Sequence, residues 1–132
     1  MGETAKAAAL GTVIFMALDG LWLGVLMKDF YRNQLAPLVR LADGGIAPNW
    51  PAALVVWALL GTGIALFVIP RAPTAPVAAM YGALLGLVVY GVYDFTNYST
   101  LRQWPFVLVL VDVAWGTAAT AACSTAVRLL VR

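Results

Sequence analysis

Four stretches of this chain are long, apolar and almost free of charge, and they decide what it can fold into. The first lies between Lys6 and Lys28 and holds one charged residue, Asp19. The second runs from about Pro51 to Ile69 and holds none. The third begins after "PRAPTAP" and reaches about Tyr98, with Asp94 its one charge. The fourth starts at Pro105 and ends near Val127, with Asp112 its one charge. The spans, about 7–27, 51–69, 77–98 and 105–127, are each close to the ~20 residues an α-helix needs to cross the hydrocarbon of a bilayer. Isolated alternating strands are absent, which argues against a barrel. The expected fold is all-α: an integral membrane protein with four transmembrane helices in a bundle, forming a single domain over residues 1–132.

Composition agrees. Of the 132 residues 63% are hydrophobic and only 11% are charged, where a soluble domain carries roughly a quarter. Too few charges remain to clothe a water-facing surface. Asp19 interrupts the first apolar run and no small-x-small cleavage site follows it, so this segment reads as a mature helix rather than a leader. One cysteine, Cys123, excludes an intrachain disulfide and reads as a small packing residue. No histidine is present, which removes the commonest metal ligand and the usual near-neutral base. No metal site is expected, and no cofactor motif, phosphate loop or Ser/His/Asp set is found. The net charge of +2 is small and dispersed, so nucleic acid is not an expected partner. The expected partners are the lipid bilayer and a second copy or a larger membrane complex.

The connections differ. Residues 28–50 form the longest loop, where Phe30, Tyr31, Leu35, Leu38, Val39 and Leu41 suggest a short interfacial helix before the Asp-Gly-Gly turn. Trp50 and Trp104 sit at the expected membrane boundaries, where amphipathic rings concentrate, and Trp57 also fits a belt or packing role. The third loop, "STLRQW", is tight, so helices three and four should be antiparallel neighbours. Loops one and three share one side of the membrane, here face B. Face B carries Lys28, Arg32, Arg40 and Arg102, and the opposite face carries Lys6, Arg71, Arg128 and Arg132. That tie leaves orientation almost undetermined by the positive-inside rule. The reading leans towards both termini in the cytoplasm.

Half of the acidic residues, Asp19, Asp94 and Asp112, fall inside spans, where a central charge costs at least ~2.5–3.5 kcal/mol. Counting from Lys28 and Arg102, all three lie ~12–15 Å inward from face B. They are expected to meet in one layer. On helix three, Gly82, Gly86, Tyr90, Tyr93, Asp94 and Asn97 follow three- and four-residue spacing, one polar and small-residue stripe on an apolar helix. Gly82 and Gly86 form a G-x-x-x-G that lets another backbone approach. "DGLWLG" and "DVAWG" repeat D-x-x-W, placing Trp22 one turn beyond Asp19, and Trp115 with Gly116 one turn beyond Asp112. These helices run in opposite directions, which hints at an inverted repeat with Trp22 on the face-B side of the layer and Trp115 on the far side.

The combination of D-x-x-W in the first helix, Y-x-x-Y-D-x-T-N with a following "TL" and Trp at the end of the third, and D-x-x-W-G in the fourth resembles an uncharacterised bacterial family of small predicted membrane proteins, classed as a domain of unknown function. The resemblance covers nearly the whole chain apart from loop one. It implies a four-helix protein of the bacterial inner membrane, and no reaction, substrate or site residues.

No Lys, Arg or His lies at the depth of the three carboxyls, so protonation or an external cation is expected to satisfy them. Three functions then stay open. The layer, with Trp22, Trp115, Tyr90, Tyr93 and Asn97, is a proton- or cation-linked transporter or channel site, where carboxylates supply charge and rings cation–π attraction. Alternatively, the same residues are interhelical hydrogen-bond staples in a structural or accessory subunit, with no ligand. Third, a carboxyl pair serves an intramembrane enzyme as acid and base, although "LVLVDVAWG" has bulky residues where aspartyl intramembrane proteases need glycine.

Overall fold

The computed structural model describes residues 2–131. Helix α1 (Gly2–Leu21) continues through a π turn at Trp22–Leu26. A short helix α2 (Lys28–Leu35) follows, then a two-residue hairpin of β1 (Leu41–Ala42) and β2 (Gly45–Ile46). Helix α3 (Trp50–Gly63) continues through a second π turn at Ile64–Val68 and a 3₁₀ turn at Ile69–Arg71. Helices α4 (Ala75–Thr100) and α5 (Phe106–Leu130) complete the chain. Four helices are long and apolar enough to cross a membrane: Gly2–Leu26, Trp50–Arg71, Ala75–Thr100 and Phe106–Leu130. This is a nearly all-α, multi-pass membrane protein, the tiny hairpin being the exception.

Local chemistry sets the ends of these elements. Asn49 caps α3 by accepting from the Ala52 amide at 3.2 Å, with Pro51 in the first turn. Pro76 takes the same place in α4, and Pro105 precedes α5; a missing N–H costs nothing where helix amides have no partner anyway. The helix in loop one is shorter than expected. Pro37 has no amide to extend the ladder, so α2 stops at Leu35, and Leu38 and Val39 close back onto the Leu35 carbonyl. Leu41 lies in the hairpin rather than the helix. The turn of that hairpin places Asp43 (φ 50°) and Gly44 (φ 78°) in the left-handed region, and Arg32 donates to the Gly44 carbonyl at 2.6 Å.

Two helix pairs form the bundle. Helix α4 packs along α5, α1 packs along α3, and α1 meets α5 across the centre. The pairs close through small residues. A side chain at Gly61 would meet the Ala8 carbonyl at 2.6 Å, and Gly11 faces Gly61 from α1. A side chain at Gly82 would meet the Thr120 carbonyl at 2.7 Å, and one at Gly86 would strike the Gly116 carbonyl. Gly82 and Gly86 thus bring α4 against α5, while Gly116 makes room for the Tyr90 ring. Helix α4 touches the α3 span at its far end, through Ile64–Val68 and Ile69–Arg71. The core is Phe15, Ile64, Val68, Ala119, Cys123 and Val127, all buried. A second, smaller cluster of Tyr31, Leu35 and Leu108 seats α2 over the face-B end.

Candidate functional site

The three intramembrane carboxyls lie inside the bundle and have different partners. Asp19, 7% exposed, accepts from Trp57 Nε1 at 2.8 Å and from Trp115 Nε1 at 2.9 Å, one indole on each oxygen. Asp112 accepts from the Tyr31 hydroxyl at 2.8 Å, and that hydroxyl accepts from Trp22 Nε1 at 3.0 Å. Asp94 is wholly buried, and neither of its oxygens has a hydrogen-bond partner among the described residues. Asp112 and Trp104 lie beside it, and Trp104 Nε1 is also buried without a partner.

The expectation of one carboxylate layer needs correcting. Trp115, three residues deeper than Asp112, is the donor to Asp19. Three helical residues rise ~4.5 Å, so the donor to Asp19 stands nearly one turn deeper on α5 than Asp112 does. The carboxyls therefore form two adjoining tiers. The deeper tier holds Asp19, Trp57 and Trp115. The tier nearer face B holds Asp94, Asp112, Tyr31 and Trp104. Counting residues from the loops misses this offset because the relative slide of two helices is set by their packing.

The D-x-x-W repeat is not used symmetrically. Trp115 reaches across to Asp19, but Trp22 donates to Tyr31 rather than to Asp112. Nor do the two indoles lie on opposite sides of the acids. They stack, with centroids 4.4 Å apart and planes 2° apart. An inverted repeat would make both crossings alike, so the pattern of contacts argues against one.

Other candidates fall around these tiers. Tyr90 lies among Asp19, Asp112, Tyr31 and Asp94. Tyr93 is 55% exposed and meets the Trp104 ring edge-on at 5.8 Å. Asn97 is half-buried, one turn beyond Tyr93 and beside it. Thr96 is exposed; the back-bonded hydroxyl at this end is Thr100, which donates to the Thr96 carbonyl at 2.9 Å.

Three residues of the network carried no such expectation. Trp57 and Trp104 read as belt residues, and Tyr31 as part of an interfacial helix. Aromatic residues near span ends have that ordinary explanation, which masks the role of their polar atoms. Burial, and then the Asp112 carboxyl, push the Tyr31 phenol far above its usual range, which keeps it a donor to Asp112.

A cleft of about 410 Å³ leads to the tier nearer face B. Val56, Leu59 and Leu60 of α3 form one wall, Val89, Tyr90 and Tyr93 of α4 the other, and Asp112 lies at its inner end. The cleft exists because α3 and α4 touch only near the opposite face. Gly63 still approaches the Leu85 side chain, and the helices part beyond it. Among the described residues, no group of three or more Asp, Glu or Cys side chains is arranged to hold a metal ion.

Four apolar spans enclosing a network of carboxyls and aromatic donors define a small multi-pass membrane protein. A family model described as "Predicted membrane protein (DUF2177)" matches residues 4–129, so the chain belongs to that family of unknown function. No curated protein and no solved structure matches it.

Proposed function

We propose that this protein is a proton- or cation-linked transporter or channel of a bacterial inner membrane, with Asp94 and Asp112 as the exchanging pair. The supporting observation is Asp94, a wholly buried carboxyl with two unpartnered oxygens beside a second carboxyl. A bare carboxylate in such surroundings is costly, and a shared proton or an external cation relieves that cost. Intramembrane acids of this kind mark proton relays and ion pathways. Four helices are few for a complete path, so a homodimer is the expected working form. We propose further that both termini lie in the cytoplasm.

Asp19 supports a second, structural reading for its own tier. Both of its oxygens are already occupied by indoles from two other helices. It acts as a staple between α1, α3 and α5, as in an accessory subunit, whereas the Asp94–Asp112 pair retains unsatisfied acceptors.

The test is ion-driven proton movement in liposomes loaded with a pH-sensitive dye. The parent should move protons when a cation gradient is imposed. Asp94→Asn and Asp112→Asn should abolish this movement, and Asp19→Asn should retain it in whatever fraction folds. Undiminished flux in Asp94→Asn, or an inert parent, would reject the transport reading.

A further inference from the structure

The cleft between α3 and α4 opens on the outside of the bundle, at the level of the spans. Its rim is formed by Leu59, Val56 and Val89, which are 66%, 52% and 40% exposed. In a bilayer these side chains face acyl chains, so what enters here comes from the lipid and must carry an apolar portion. The inner end is different. Asp112 gives one oxygen to Tyr31 and has no other hydrogen bond among the described residues. Asp94, buried and unpartnered, lies beside it. Tyr90 and Tyr93 flank the approach, and aromatic rings attract cations. No Lys, Arg or His of any span supplies the missing positive charge at this depth.

We infer that the cleft is a lateral binding site for a lipophilic amine in its protonated form. The apolar chain lies along Val56, Leu59, Leu60 and Val89, and the ammonium group sits against Asp112, with Asp94 buried directly behind it. A volume of about 410 Å³ is within the ~300–1,000 Å³ of small-molecule sites. A bare inorganic cation fits the same acids but not this lateral route, because from the side it would have to cross lipid and apolar walls. A neutral acyl chain fits the walls but leaves both acids unpaired. The inference rests on the exchanging-pair reading above and names the substrate class of that same site.

The test is binding of dodecylamine to the protein in lipid nanodiscs at neutral pH, followed by tryptophan fluorescence and calorimetry. Dodecanol, dodecanoate and empty nanodiscs run alongside. Dodecylamine should bind saturably, and dodecanol and dodecanoate should not. Asp112→Asn should weaken dodecylamine about 30-fold, the loss expected when one partner of a buried charge pair is truncated. Val89→Trp and Val56→Trp, from opposite walls, should block the cleft without touching an acid, and either suffices should the other fail to fold. Equal binding of dodecanol, or unchanged amine binding in every wall variant that folds, overturns the inference. If the amine fails to bind while Asp94→Asn still abolishes proton movement, the substrate class alone is wrong.

Discussion

Trp22 and Trp115 stack face to face, 4.4 Å between centroids, yet their indole nitrogens serve different acceptors. Trp22 donates to Tyr31 and Trp115 to Asp19. The stack is the joint between the two tiers. It couples a staple among α1, α3 and α5 to the chain of donors that ends on Asp112.

Replacing Asp19 should weaken the bundle through its lost acceptors. Asp19→Leu strands two indole donors, while Trp57→Phe removes only one bond. Interhelical hydrogen bonds in membranes average ~0.6 kcal/mol and reach ~1.7, so Trp57→Phe should cost about 0.5–1.5 kcal/mol and Asp19→Leu more. Unfolding in bicelles by a denaturing detergent measures both, and the double variant shows whether the losses share one interaction.

Asp94 should respond with the opposite sign. Its carboxyl satisfies no donor, so Asp94→Leu removes a buried unpaired group, for which the desolvation penalty is ~1–3 kcal/mol. That variant should be more stable than the parent in the same unfolding assay, while losing proton movement. A marked loss of stability instead would mean that Asp94 works as a staple.

Glycine positions should separate sharply. Gly86→Ala pushes a methyl into the Gly116 carbonyl and should cost ~1–3 kcal/mol by overpacking. Gly91→Ala meets nothing within 4 Å and should be neutral, or stabilising by up to ~1 kcal/mol through helix propensity. Thermal unfolding of the two variants side by side decides this.

Tyr31 predicts an alkaline limit. Its folded phenol is raised above the unfolded value of 10.0. Stability from this group is therefore complete below pH 10, and is lost progressively as pH rises further, because the unfolded state ionises first. Tyr31→Phe should flatten that decline while weakening the Trp22–Tyr31–Asp112 chain at every pH. Melting curves from pH 7 to about 11 test the sign.

The four spans were legible because a run of ~20 apolar residues has few other uses. Asp19, Asp94 and Asp112 stood out for the same reason, as charges where charge is costly. Gly82 and Gly86 were visible as a spaced pair on one face. Gly11 and Gly61 were not, since each is a lone small residue and only the packing of α1 on α3 pairs them. Trp57, Trp104 and Tyr31 were obscured by the ordinary belt explanation. The two tiers were hidden because chain counting measures depth within one helix and not the slide between two. The α3–α4 cleft was hidden as well, for divergence of two helices leaves no mark in either sequence.

The two π turns have a consequence for how this chain tolerates a changed length. At Trp22–Leu26 and Ile64–Val68 the helix holds one residue more than a regular turn needs. Deleting a residue there would restore ordinary helix and leave both flanking segments facing as before. Deleting one elsewhere in a span turns everything beyond it by ~100°, away from its partners. These two turns are therefore the places where the reading frame of side-chain faces is reset, and where the bundle can lose a residue and still close.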